Sequence, residues 1–286
     1  MLNLVLQNAD RTRMVTEKKL EVDIEKIIAS KRPAGKKGLP KFLIRLMEKL
    51  IHQDEINRAL DELQGKEGVE FASGALKTLD VNWRVHGGEN LDPNKRYIFV
   101  CNHPMGGLDG MILIAHFGQQ FQDVRFVVND LLMFIEPLRC LFIPINKFGR
   151  MKADYATKIQ EAFSSDAQML YFPAGLCSRL IDGRIQDLEW KKTFVIKARE
   201  SQRDIVPLYF DGRNSRFFYR LEWLRSRLGI RFNIGMALLP HEMFRQQHKT
   251  FDLYIGQPFS HEQLTNERTL PQWVEFFRNQ TYRLKP

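Results

Sequence analysis

His103 and Asp109 stand six positions apart in the run Cys101-Asn102-His103-Pro104-Met105-Gly106-Gly107-Leu108-Asp109-Gly110. Such a pair has a defined chemical use. A neutral imidazole takes a proton from a substrate hydroxyl through one ring nitrogen. A carboxylate on the other nitrogen fixes the tautomer and stabilises the imidazolium that forms. No serine or cysteine nucleophile is then required, because the acceptor hydroxyl attacks directly. Two adjacent glycines, Gly106 and Gly107, let the chain fold tightly and bring Asp109 back towards His103. The same residues also fit a turn histidine followed by an aspartate that caps a helix.

A second run, Tyr171-Phe172-Pro173-Ala174-Gly175-Leu176-Cys177-Ser178-Arg179, leaves an apolar stretch into a turn. Arg179 and Arg184 suit an anionic group on a donor or acceptor, through charge-assisted hydrogen bonds. An exposed turn arginine is the plainer reading. Arg213, Asn214 and Ser215 follow another strand end and suit an amino-acid carboxylate, although a polar turn explains them equally simply. Cys101, Cys140 and Cys177 form no CxxC pair, which argues against a zinc site or a disulfide framework. Nothing in the sequence activates the thiols of Cys101 and Cys177 beside the two runs. The other histidines are scattered without metal spacing, so neither a metal nor a redox cofactor is expected.

The elements that must position these residues follow from periodicity. Tyr97 to Val100 reads as a strand, which puts His103 at its carboxyl end, where α/β folds place functional loops. Val81 to Val85, Val124 to Val128, Leu141 to Ile145, Gln168 to Phe172 and Ile205 to Phe210 are further strands. Helical patterns at Met111 to Phe117, Tyr155 to Phe163 and Lys192 to Arg199 alternate with them, and Pro271 to Arg283 reads as a terminal helix. Alternation of this kind predicts an α/β domain over residues 81–286, built on a largely buried sheet flanked by helices. Residues 1–80 read as a helical segment that associates with membrane. After the loop Lys31 to Pro40, Phe42, Leu43, Leu46, Met47, Leu50 and Ile51 form one apolar helical face beside basic residues. That face either lies in a membrane surface or packs on the domain.

The net charge is +9, which suits an anionic partner such as nucleic acid, an anionic membrane or an acidic protein. The N-terminus lacks the basic start, apolar run and cleavage site of a signal peptide. The most apolar later segment, Leu131 to Ile145, is interrupted by Glu136 and Arg139 and falls short of the roughly 20 residues that a spanning helix needs. A secreted pore former is expected to show one or the other.

Taken together, the runs resemble the lysophosphatidic-acid acyltransferase superfamily, whose first motif is Asn-His, four residues, Asp. The spacing here is five. That departure is similar to a subfamily with Asn-His-Pro-x-Gly-Gly-x-Asp-Gly, whose members carry a hemolysin label and resemble O-acyltransferases of ornithine or glycine lipids. Asp54-Glu55-Ile56-Asn57, Phe142 to Asn146 with Arg150, Phe172-Pro173-Ala174-Gly175, Val206-Pro207-Leu208, Asp187 to Lys192 and Asp211 to Ser215 extend the likeness over about residues 20–260. The resemblance implies an acyltransferase domain with a mixed sheet, preceded by amphipathic helices. His103 and Asp109 would be catalytic. Asn102, Gly106, Gly107, Arg150, Phe172, Pro173, Gly175, Ser178, Arg179, Arg213 and Asn214 would bind substrate. It also implies a thioester donor, acidic acyl-carrier protein or acyl-CoA, and a lysolipid acceptor. Nucleic acid is then not a partner. The implied location is peripheral, on the cytoplasmic face of a bacterial inner membrane. Where the third motif usually carries glutamate, Ala174 stands. That difference favours a lyso-aminolipid over lysophosphatidic acid, which becomes the alternative acceptor.

Overall fold

The stretch Tyr97-Ile98-Phe99-Val100-Cys101 has no polar face, as expected of a strand covered on both sides. It forms β2 (Tyr97–Cys101), every residue of which is buried. The computed structural model describes residues 21–30, 40–129, 132–133, 135–145, 153–229 and 234–286. Within these, β2 is the middle strand of a seven-stranded sheet in the order β1-β9-β8-β2-β5-β3-β4. The others are β1 (Asn82–Gly87), β3 (Val124–Asn129), β4 (Phe142–Ile145), β5 (Gln168–Tyr171), β8 (Asp204–Asp211) and β9 (Thr250–Ile255). A short antiparallel hairpin, β6 (Arg179–Ile181) with β7 (Arg184–Gln186), stands apart. Pairing is parallel except between β8 and β9, so the sheet is mixed.

This order matters for function. β8, β2 and β5 are parallel neighbours, so the loops that follow them leave from one edge. Those loops hold His103, Phe172 to Ser178, and Gly212 to Ser215. Helix α5 (Leu108–Gln120) carries the chain from the His103 loop to β3 and packs against α4 (Gly68–Thr78). α6 (Ala153–Ser164) and α7 (Thr193–Ser201) supply the other crossovers. α8 (Arg216–Arg227) and α9 (Ile234–Phe244) follow β8 and pack on each other, and α10 (Leu270–Arg283) covers β8 and α7. The main apolar cluster joins Ile98, Val100, Met169, Phe194, Trp273 and Phe277.

Arg203, just before β8, is fully buried. Its guanidinium donates to the carbonyls of Phe163 at 3.0 Å and Ala167 at 2.6 Å, and also to that of Ser165. These carbonyls lie at and beyond the end of α6, where helix carbonyls lack partners and the dipole favours a cation.

The described residues fall into two compact units. One holds the N-terminal helices α1 (Ile24–Ser30), α2 (Lys41–Leu50) as far as Lys49, and α3 (Gln53–Glu62). The other holds Leu50 to His52 and the described residues from Gly65 onward. In the first unit, Asn57 of α3 clasps the start of the chain: its amide accepts from Val22 N–H and donates to Val22 C=O. The expected apolar face of α2 is rotated. Ile44 and Ile51 are buried and Met47 is half-buried, whereas Phe42 and Leu46 are exposed. His52, at φ +57°, then breaks the helical run between α2 and α3. Three strands escaped the sequence reading. β6 and β7 are three residues each, too short for a period to show, and β9 spans Thr250 to Ile255. Among the described residues no helix is long and apolar enough to cross a membrane.

Candidate functional site

His103 follows β2 by one residue, and both its backbone groups are held. Its N–H donates to Asp187 Oδ1 at 3.1 Å, and its C=O accepts from Ser178 N–H at 2.7 Å. The imidazole stacks on Phe172, with ring centroids 3.9 Å apart and 18° between planes. His103 Nδ1 lies 3.0 Å from Asp109 Oδ2. When the carboxylate is the acceptor of this bond, the proton lies on Nδ1 and Nε2 is the nitrogen left without one.

Asp109 is fully buried in the first turn of α5, with Gly107 rather than Asp109 as the N-cap residue. Its Oδ2 also accepts from Met105 N–H at 2.9 Å and its Oδ1 from Gly110 N–H at 2.9 Å. Three N–H groups and the positive end of a helix therefore surround this carboxylate. The turn between the pair depends on Gly106, at φ +88°. A Cβ there would approach Leu239 of α9 to 2.7 Å.

Asp187 was not singled out as a site residue, yet its buried carboxylate joins the two loops. Oδ1 accepts from His103 N–H and from the Ser178 hydroxyl at 2.6 Å, and Oδ2 accepts from the Trp190 indole at 2.9 Å. Its own N–H donates to the Tyr282 hydroxyl at 3.0 Å. Burial pushes the Asp187 carboxyl up from its ordinary value, against the opposing pull of these donors. The nearby Lys191 N–H donates to Pro173 C=O at 3.0 Å, so the Asp187 to Lys191 segment ties down the Phe172 turn as well. The available signal was the spacing of Asp187 and Trp190, an acceptor and an indole donor three positions apart.

The remaining expected site residues divide by what they touch. The Asn102 amide is used within the sheet: it donates to Phe210 C=O at 3.0 Å and accepts from Phe210 N–H at 2.7 Å, which locks the end of β2 to β8. Gly107 is exposed and Pro173 is buried; Gly175 makes the turn at φ +66°. Arg179 is paired inside the protein. Its Nε lies 3.2 Å from Glu222 Oε2, and its Nη1 donates to Cys177 C=O at 2.8 Å. Arg184 and Arg213 are exposed, whereas Asn214 is buried beside the histidine loop and donates to Pro104 C=O at 3.4 Å. Among the described residues its Oδ1 has no hydrogen-bond partner. Arg150 lies outside the described residues. Ala174 is buried in the apolar cluster that includes Tyr171 and Trp190. Burial raises the thiols of Cys101 and Cys177 above their ordinary value, which keeps both protonated and unreactive. A cavity of about 300 Å³, lined in part by His116, Gln119 and Gln120, sits at the far end of α5 and does not include His103.

A histidine in contact with a buried carboxylate at the carboxyl edge of an α/β sheet is an arrangement suited to taking a proton from a hydroxyl. Comparison with known proteins identifies the family. A family model described as Acyltransferase matches residues 26–286. The lyso-glycine lipid O-acyltransferase of Bacteroides thetaiotaomicron is 44% identical over 264 residues, 92% of this chain and 97% of that protein. The lyso-glycine lipid O-acyltransferase of Phocaeicola vulgatus is also 44% identical, over 92% of this chain and 95% of its own length. The crystal structure of the 1-acyl-sn-glycerophosphate acyltransferase PlsC from Thermotoga maritima is similar at 18% identity and a TM-score of 0.48, over 85% of this chain and 89% of that one. The chain belongs to this acyltransferase family and is an acyltransferase.

Proposed function

We propose that the enzyme transfers a fatty acyl group from a thioester, on acyl-carrier protein or coenzyme A, to the free hydroxyl of a lyso-glycine lipid. The observation that carries the chemistry is the 3.0 Å contact between His103 Nδ1 and the fully buried Asp109. His103 Nε2 takes the proton of the acceptor hydroxyl as its oxygen attacks the thioester carbonyl. Asp109 holds the tautomer and stabilises the imidazolium. Collapse of the tetrahedral species breaks the carbon–sulfur bond, and the imidazolium returns the proton to the departing thiolate. Phe172 shields one face of the ring from water, and Asp187 with Ser178 holds the backbone of the base.

The names of the two relatives at 44% identity support this head group. Ala174 supports it less directly than its sequence position suggests, because its side chain faces the core. The donor's acidic carrier and an anionic lipid surface both match the net charge of +9. Attachment is peripheral, at the cytoplasmic face of the inner membrane, where thioester donors are made. Competition between a lyso-glycine lipid and lysophosphatidic acid for one labelled acyl thioester tests the acceptor. A glycine-lipid product is expected, and phosphatidic acid as the dominant product contradicts the head-group assignment.

A further inference from the structure

Helix α8 carries large apolar side chains on its outer side as well as its inner side. Its inner face buries Phe218 and Tyr219 in an apolar cluster with Cys177 and Leu238, and polar groups anchor it beside them. The Tyr219 hydroxyl donates to Pro104 C=O at 3.3 Å and accepts from Asn214 N–H at 3.1 Å. Glu222, the helix's only carboxylate, is buried against Arg179 and Arg225. The Ser215 hydroxyl caps the helix by accepting from Phe218 N–H at 3.0 Å. The outer side carries Phe217, Trp223 and Leu224, with Leu228 one residue past the helix, all between 45% and 62% exposed. Arg216, Arg220 and Arg227 lie among them, also exposed, and Arg227 sits over the Trp223 ring at 5.3 Å. A helix on the surface of a soluble protein ordinarily shows its polar side to water. Half of the large apolar side chains left most exposed among the described residues belong to this one segment.

We propose that the outer side of α8 is the surface on which the enzyme docks to an anionic bilayer. Two observations and one consequence of the acceptor reading select a lipid surface over a protein partner. The exposed side mixes aromatic and aliphatic side chains with arginines and carries no acidic residue, the composition of an interfacial helix. The helix is fastened through Tyr219 to Pro104, the neighbour of His103, so a bilayer on its outer side lies about one helix diameter, roughly 10 Å, from the histidine loop. An acceptor with lipid tails must be reached from such a surface, a point that rests on the acceptor reading above.

Vesicle binding by the purified full chain, measured without acceptor or donor, tests the proposal independently of that reading. The probes are phosphatidylglycerol–phosphatidylethanolamine vesicles and phosphatidylcholine vesicles. Each arginine near an anionic surface changes partitioning by about fivefold at low salt, and less when screened. Arg216→Gln/Arg220→Gln/Arg227→Gln is therefore expected to weaken binding to anionic vesicles at least about tenfold and to flatten its salt dependence. Phe217→Ser/Leu224→Ser/Leu228→Ser is expected to weaken it at least about tenfold at low and high salt alike. Both sets are exposed, so both variants should melt like the wild type; if one misfolds, the other remains the test. Failure of the wild type to bind anionic vesicles overturns the proposal. So does wild-type binding by a folded variant, which would leave attachment to α2. A change of oligomeric state with vesicle binding unchanged also overturns it, and marks α8 as an interface between protein chains.

Discussion

Replacement of Asp187 separates a carboxylate that holds His103 in place from one that merely fills space. In Asp187→Ala the Ser178 hydroxyl can turn to His103 C=O, 3.2 Å away, but His103 N–H and the Trp190 indole lose their acceptor. Two buried donors left unmatched cost about 1–3 kcal/mol each, or about 2–6 kcal/mol together, less if water enters. Asp187→Asn keeps one oxygen for His103 and Ser178 and turns an NH2 group towards the Trp190 N–H, a cost of about 1–3 kcal/mol. At about 2–4 °C per kcal/mol, the asparagine variant should melt roughly 2–12 °C low and the alanine variant lower still. Both should lose kcat, through displacement of the base, with little change in KM for the acyl donor. Adding Trp190→Phe to Asp187→Asn should recover part of the lost stability in a double-mutant cycle. The pH dependence has a defined sign. A carboxyl raised above its ordinary 3.8 binds its proton more tightly in the folded protein, so its contribution is full below that value and is lost as pH rises through the folded pKa. The stability gap between wild type and Asp187→Asn should therefore narrow from about pH 4 upwards. Thermal melting across pH, with steady-state thiol release, measures both effects. Wild-type melting and turnover in Asp187→Ala would refute the reasoning.

Asp109→Asn cannot satisfy its surroundings in either orientation. One leaves Gly110 N–H facing an NH2 group, and the other does the same to Met105 N–H and reverses the His103 tautomer; thiol release should fall at least about a hundredfold. Ala174→Glu, which restores the residue usual in the superfamily motif, should lower the melting temperature without giving phosphatidic acid as a product, because the side chain is buried among apolar groups. A folded variant that gained that product would show that position 174 faces the acceptor. Arg203→Leu removes the donor to three backbone carbonyls and should destabilise by at least about 3 kcal/mol in denaturant unfolding.

The parts of this enzyme that were legible in its sequence are those governed by local chemistry. β2, β3, β5 and β8 are near-continuous apolar runs bounded by turns, and their helices alternate at the right period. The return of Asp109 to His103 was legible because two adjacent glycines permit so tight a turn, although a turn histidine and a capping aspartate fit the same residues. Pairings across the chain were not. Asp187 lies 84 positions from His103, and only the fold brings its carboxylate to that backbone N–H. Arg179 reads as a free cation until Glu222, on a helix 43 positions away, is found beside it. Asn102 sits beside the base in sequence, yet its amide is turned to β8. The α2 stripe was misjudged for another reason: Phe42, Ile44 and Leu46 are all apolar, and hydrophobicity alone does not say which of them turns inward.

The most direct test of the central claim is acyl transfer by purified wild-type and His103→Ala protein, with a lyso-glycine lipid and a defined acyl thioester, read by mass spectrometry of the lipid product. The wild type is expected to yield the O-acylated glycine lipid with one thiol released per product. His103→Ala, still folding cooperatively, is expected to yield none above the uncatalysed background. Wild-type turnover in that folded variant would contradict general-base catalysis by His103.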